Sequence, residues 1–348
     1  MADTDTIAGL RQLDRARGSV DVVDFTFNTL TVSGWILHPS HKIKSVLVYM
    51  DDAMIGECPV ALRPDVAKAF GHIPHAGQSG FTLKAKNKSK AALINLFIVG
   101  ITTEGIRLGF PWHQLIKGKS SIPVPSKTLM HRVAGTRDKN SFLQTGLNGA
   151  LQMMDAVKRH TVLNEHSSLL DWGCGCGRVD SFIAHYWPEL PLKGCDIDAE
   201  ATNWCNKNIA GNFYAISTDP PTPFADGAFS IIIASSVMTH LTEANQSLWL
   251  REIHRLLVPK GIFVVSVHGT FAASFIPGML ERLSKQEIID DLGDNTLDGV
   301  APPGYYRATF QTPGYVHRNW LKTFEILEYK EGGLTNFQDL VVLQKSGN

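Results

Sequence analysis

The sequence predicts an all-β domain followed by an α/β domain built on a parallel sheet. Three observations carry this. Apolar residues recur at every second position in runs between residues 22 and 110, whereas from residue 169 short apolar runs alternate with amphipathic helical stretches. The first of those later runs stops at an acid and then places Gly173, Gly175 and Gly177 at alternate positions. Period two marks half-buried strands, and strand–helix alternation implies parallel pairing with ligands at the carboxyl ends of the strands.

Taken in order, residues 1–20 read as an N-terminal extension, with acids early and no apolar core segment of a secretory signal. Residues 21–114 read as a β-sandwich: VDFTFNTLTVSGW and KSVLVYM alternate, Asp51-Asp52 marks a turn, and Thr-Thr-Glu-Gly separates LINLFIVG from IRLGF. Trp35, Phe81 and Trp112 sit at strand spacing, which fits core positions better than a recognition surface. Arg63 and Asp65, flanking Pro64, are placed to pair across a loop. Residues 115–138 contain KGKSSIPVPSK, whose prolines and small polar residues read as a linker, leaving 139–348 as the second domain.

In that second domain TGLNGALQMMDAVKRH predicts a helix before the first strand. Leu169 and Leu170 suit a buried strand, and the glycines after Asp171 suit a backbone that turns sharply under a ligand. GRVDSFIAHYW predicts the next helix, and LKGCDID a second strand ending at Asp196, 25 residues after Asp171. A carboxylate so placed can accept both hydroxyls of a ribose. FSIIIAS and GIFVVSVHG supply further strands, with Thr242 capping the helix between them and Trp249, Ile253, Leu256 and Leu257 forming its sheet-facing stripe. After an excursion over residues 271–303, FEILEYKE and FQDLVVLQK supply two late strands.

The combination D-W-G-C-G-C-G followed by G-C-D-I-D resembles the class I S-adenosylmethionine-dependent methyltransferases, over residues 140–345. The resemblance implies a Rossmann-like sheet of seven strands, closed by one antiparallel strand, and S-adenosyl-L-methionine as cofactor. It implies cofactor contacts from Asp171, Gly173, Cys174, Gly175, Gly177, Asp196, Ile197, Thr218, Asp219 and Ser235. Two positions depart from the family pattern: Ser230 stands where an Asp is usual, and Lys260 replaces the first glycine of a Pro-Gly-Gly turn. Asp219-Pro220-Pro221-Thr222 is similar to an element of amino-group methyltransferases, but it precedes the fourth strand instead of following it, and Thr222 lacks a stacking ring. In the first third, VSGWILHP, RPDVAKAF and SGFTL resemble a β-sandwich module that accompanies enzymes of bacterial surface-glycan pathways. Together the two resemblances imply O-methylation of a sugar hydroxyl on a small-molecule or glycan acceptor.

A hydroxyl acceptor must lose its proton, and histidine titrates near neutral pH. His268, ending the fifth strand, is the expected general base; His240, just after the fourth, is the alternative and more readily a helix-entry element. Tyr305, Tyr306, Arg307 and Gln338 are placed to shape the acceptor pocket.

Composition bounds the partners. The chain has 348 residues, 44% hydrophobic, with 33 acidic and 33 basic side chains, so no net charge draws it to nucleic acid. AALINLFIVGI is far shorter than the roughly 20 residues of a membrane span, and the expected location is cytoplasmic. Five cysteines, an odd number, fit reduced thiols; Cys174, Cys176, Cys195 and Cys205 lack zinc-ligand spacing, and no metal is expected. Two alternatives remain open, a non-catalytic cofactor- or glycan-binding protein and a nicotinamide oxidoreductase.

Overall fold

The computed structural model describes residue 10 and residues 13–26, 28–51, 53–86, 91–115 and 122–346, which divide into two compact units at Ser121/Ile122. The first unit holds β1 (Asp14–Arg15), β2 (Arg17–Thr26), β3 (Thr29–Leu37), β4 (Ile43–Met50), β5 (Ala53–Pro59), the short helix α1 (Pro64–Ala69), β6 (Gly80–Lys86), β7 (Leu93–Thr102) and β8 (Arg107–Leu115). Its strands form a five-stranded sheet, β1-β8-β7-β4-β5, and a three-stranded sheet, β2-β3-β6. Period-two side chains from both, Leu30, Val32 and Phe81 from one and Val46, Val48, Ile98 and Phe110 from the other, share one core. Phe81 is buried, while Trp112 is partly buried against that core and Trp35 packs on Phe70 at 5.7 Å. Arg63 does pair with Asp65, through two bonds of 2.7–2.8 Å, and also with Asp21. Strand β1 and the start of β2 already lie within the stretch expected to be an extension.

The second unit holds α2 (Lys127–Ala134), α3 (Lys139–His160), β9 (Leu169–Trp172), α4 (Asp180–Tyr186), β10 (Leu192–Asp196), α5 (Ala199–Asn208), β11 (Asn212–Ala215), β12 (Phe229–Ala234), a 3-10 turn at Met238–His240, α6 (Glu243–Leu256) and β13 (Leu257–Val267). Then follow α7 (Thr270–Ala273), α8 (Met279–Lys285), the hairpin β14 (Ile288–Gly293) and β15 (Arg307–Gln311), α9 (Pro313–Trp320), β16 (Phe324–Leu334) and β17 (Gln338–Lys345). Seven strands pair in the order β11-β10-β9-β12-β13-β17-β16. Pairing is parallel from β11 to β13, and β17 runs antiparallel between β13 and β16. The α6 stripe of Trp249, Ile253 and Leu256 packs against Trp172, Phe263 and Val265 of the sheet.

The expected linker is corrected in its second half. Residues 116–121 lie outside the described residues, but Ser126 caps α2 by accepting from Leu129 N. Leu129 and Met130 then pack on Phe142, Cys176 and Ala201, so an apolar stripe anchors this helix to the second unit. Helix α3 likewise starts at Lys139 rather than Thr145, because the Asp138 carboxylate caps Ser141 N.

Candidate active site

The site starts at the four buried residues of β9. Beyond Trp172 the chain turns through Gly173 at φ +78° and Gly177 at φ +68°. A side chain is strained at both, and a Cβ on Gly173 would lie 2.3 Å from Val237 Cγ2, so the loop is shaped for glycine. Strand β10 grips the loop from the side: Gly173 N and Cys174 N donate to Cys195 O at 2.8 and 3.1 Å. Asp196 closes the grip, its Oδ2 accepting from Gly175 N at 2.7 Å and its Oδ1 from Asp198 N at 2.8 Å. Burial pushes the Asp196 carboxyl up to about 6, against the opposing pull of those two N–H donors.

Above the loop lies a cavity that is open to solvent. Asp171, Gly173, Cys174, Gly175, Asp196, Ile197, Ser235 and His240 line it, as do Tyr305 and Tyr306. Gly177, Thr218, Asp219, His268, Arg307 and Gln338 are not among its lining residues. For Thr218 and Asp219 the reason is strand length: β11 ends at Ala215, so Ile216 is the residue that reaches the cavity. Thr218 instead offers its carbonyl to the Tyr305 hydroxyl at 2.8 Å.

Sequence reasoning missed Arg132 and Val133, which α2 brings to the cavity from the supposed linker. A capping serine before the apolar pattern of KTLMHRVA is the signal that could have shown them. Arg132 Nε lies 3.2 Å from Asp198 Oδ2. Asp198 caps α5 and is also a buried, ion-paired member of the cavity wall. Leu297, from the excursion between β14 and β15, was missed as well, since nothing in a Gly- and Asp-rich loop marks which residue folds inward.

The two histidines differ in their surroundings. His240 Nδ1 is 2.8 Å from the Arg307 carbonyl oxygen, which can only accept, so Nδ1 carries the proton. Burial lowers the His240 pKa below its usual value, with the Arg307 carbonyl and Asp294 opposing, so the ring is neutral at pH 7. Its ring stacks on Tyr306 at 4.0 Å, which fixes its orientation in the wall, and Nε2 keeps its lone pair. His268 stacks instead on Phe310 at 4.8 Å, and its Nε2 lies 3.4 Å from the Gln338 amide nitrogen, which donates to Ser236 Oγ at 2.7 Å.

The departures noted above have local explanations. Ser230 Oγ accepts from Ser168 N at 2.9 Å while Ser230 N donates to Ser168 Oγ at 3.2 Å, a reciprocal clasp between β12 and the start of β9. Lys260 takes the turn glycine's conformation, at φ +64°. Thr222, in the Asp-Pro-Pro-Thr element, donates through both N and Oγ1 to Glu252 and is thereby held to α6. All five cysteines are buried and unpaired by disulfides, and among the described residues no cluster of His, Cys, Asp and Glu could hold a metal ion.

This fold and site define a small-molecule-binding α/β domain with its ligand loop after the first strand. Residues 170–265 match the methyltransferase domain family, so this part of the chain is a methyltransferase domain, the domain of an enzyme that uses S-adenosylmethionine as cofactor. The glycine loop, the open cavity and the cavity-lining acids Asp171 and Asp196 fit that group. The rRNA N(6)-adenosine-methyltransferase metl-5 of Caenorhabditis elegans is 25% identical over 135 residues, covering 36% of this chain and 63% of that protein. Fatty-acid O-methyltransferase of Mycolicibacterium smegmatis is 25% identical over 160 residues, covering 40% of this chain and 58% of that protein. The chain thus spans under two thirds of the length of these relatives. Among solved structures, human N-acetylserotonin methyltransferase in complex with SAM aligns with a TM-score of 0.40 and 18% identity, over 64% of this chain and 60% of that one. A SAM-dependent methyltransferase from Methanosarcina mazei aligns at 0.42 and 16%, over 56% and 98%.

Proposed function

We propose that the whole protein transfers a methyl group from S-adenosylmethionine to a hydroxyl, with His240 as general base, and that the acceptor is a sugar or glycan precursor. The observation that carries the hydroxyl is the His240 tautomer. A neutral ring pinned at Nδ1, in a residue that lines the cavity, keeps Nε2 as a proton acceptor, which a hydroxyl needs and a carboxylate does not. The two curated relatives are named for different acceptors, adenosine N(6) in rRNA and fatty acids, so the acceptor class rests on this chain's own residues. Attachment of Thr222 to Glu252, away from the cavity wall, speaks against a role for Asp219–Thr222 in holding a nucleobase amine.

The bound cofactor supplies a methyl group on a positively charged sulfur. In this reading Asp196 accepts from its ribose hydroxyls, while Ile197 and Ile216 offer apolar walls for the base. The backbone of Gly173 to Gly175 and the acid Asp171 face its amino-acid end. His240 takes the acceptor's proton at Nε2, and Tyr306 holds the ring for it. The glycan assignment rests on the N-terminal unit, whose two facing sheets fit the β-sandwich module that its motifs resemble. The experiment is transfer of labelled methyl from S-adenosylmethionine into fractionated cell extract, followed by mass spectrometry. A methyl ether on a carbohydrate supports the reading; label on nitrogen or carboxylate refutes it.

A further inference from the structure

Behind the glycine loop lies a feature that the proposed chemistry does not use. Asp180, the first residue of α4, is fully buried, and Asp171 of β9 is 2% exposed. Neither Asp180 oxygen, nor Asp171 Oδ1, has a donor in hydrogen-bond geometry among the described residues. The two carboxyls are within hydrogen-bonding reach of each other. Carboxylates only accept, so two ionised groups here would face each other with like charge, with only the Asp180 backbone N–H and the Arg178 cation to oppose it, in surroundings that strip away water. One proton between them removes that repulsion, as in other carboxyl pairs that share a site.

We propose that Asp180 is a positioning residue for cofactor binding: it holds Asp171 through a proton shared between the two carboxyls, so that the pair carries one negative charge. This rests on the reading that Asp171 faces the cofactor's amino-acid end, whose ammonium is the cation matched to that charge. Every packed neighbour bears on the pair. Asp196 from β10 adds negative charge, Arg178 opposes it at Asp171, and Cys205 of α5 presses on Asp180. Cys174 of the loop is itself a neutral thiol, driven up by burial. Burial and the neighbouring acids raise both carboxyls well above the ordinary Asp range, in keeping with a retained proton. The sequence is consistent with a purpose-built pair: an acid occupies the buried face of α4 beside Phe182 and Ile183, where an apolar residue would pack at no electrostatic cost.

The test uses the full chain labelled with 13C at aspartate carboxyls, together with Asp180→Asn and Asp180→Leu. The wild type is expected to show a protonated carboxyl at pH 7 that titrates only in alkali. In Asp180→Asn the amide donates permanently to Asp171, so the protonated signal disappears and affinity for S-adenosylhomocysteine, read by calorimetry, stays near wild type. In Asp180→Leu no donor remains, Asp171 keeps its own proton as a neutral group, and affinity drops by roughly tenfold to a hundredfold, the equivalent of one charge-assisted bond. Absence of a protonated aspartate in the wild type at pH 7 overturns the proposal, as does wild-type affinity in a folded Asp180→Leu. If Asp180→Leu does not fold, the wild-type and Asp180→Asn spectra still decide. Failure of the wild type to bind S-adenosylhomocysteine would count against the cofactor geometry, while the carboxyl spectra would still report on the pair.

Discussion

Replacing Asp196 by Asn tests the cofactor geometry at the carboxylate that closes the glycine loop. The carboxylate accepts two backbone N–H bonds, from Gly175 and Asp198, at 2.7 and 2.8 Å. Asn keeps one acceptor oxygen and turns an NH2 toward the other donor, losing one charge-assisted bond of about 1.5–3 kcal/mol. Against that, the folded carboxyl sits at about 6, above its ordinary 3.8. A raised acid disfavours the fold when ionised, here by about 3 kcal/mol at neutral pH for two units, a penalty that fades as pH falls from about 6 to 4. Asn removes this penalty, so the two changes nearly cancel and the variant should fold. Binding has no such compensation. Loss of the ionised acceptor for ribose hydroxyls should weaken S-adenosylhomocysteine by about tenfold to a hundredfold in calorimetry. The wild type carries a second signature: because the ligand needs the ionised acid, affinity should be flat above pH 7 and about tenfold weaker by pH 5, a limb that Asp196→Asn lacks. Unchanged affinity in the folded variant, or a wild-type affinity flat down to pH 5, would refute the assignment.

Further outcomes follow from other parts of the molecule. His240→Ala should lower turnover by roughly a hundredfold to ten-thousandfold with unchanged S-adenosylhomocysteine affinity, whereas His268→Ala should chiefly lower the melting temperature; the reverse pattern would return the base to His268. Because burial depresses the His240 pKa, the rate should already be level at pH 7, with its falling limb below 6.5. Lys260→Gly should raise stability by about 0.5–1 kcal/mol in urea titration, since φ +64° strains a side chain there. A fragment beginning at Ile122 should fold and bind S-adenosylhomocysteine as the full chain does, whereas one beginning at Lys139 should bind more weakly for want of Arg132 and Val133. Limited proteolysis should cut first between residues 116 and 121, and early cleavage within α2 would contradict its docking through Leu129 and Met130.

Much of the fold was legible because it repeats simple periods. Alternating residues such as Val46 and Val48 in one sheet and Leu30 and Val32 in the other mark strands from local pattern alone, since a side-chain period of two has one meaning wherever one face is buried. Asp171, Gly173, Gly175 and Asp196 were readable for the same reason: a sharp turn under a ligand and a carboxylate one strand away are local requirements. What tertiary structure alone decided was which residues of irregular segments face inward. Arg132 and Val133 reach the cavity only because Leu129 and Met130 find Phe142 and Ala201 on the second unit, a contact between segments distant in sequence. His240 and His268 both follow apolar strands and look alike in sequence. Their surroundings part over the Arg307 carbonyl, which fixes the tautomer of one, and the Phe310 ring, which stacks on the other; β15 supplies both partners from far along the chain. The pairing of buried Asp171 with buried Asp180 has the same character, since it depends on how the residues between them turn through the glycine loop.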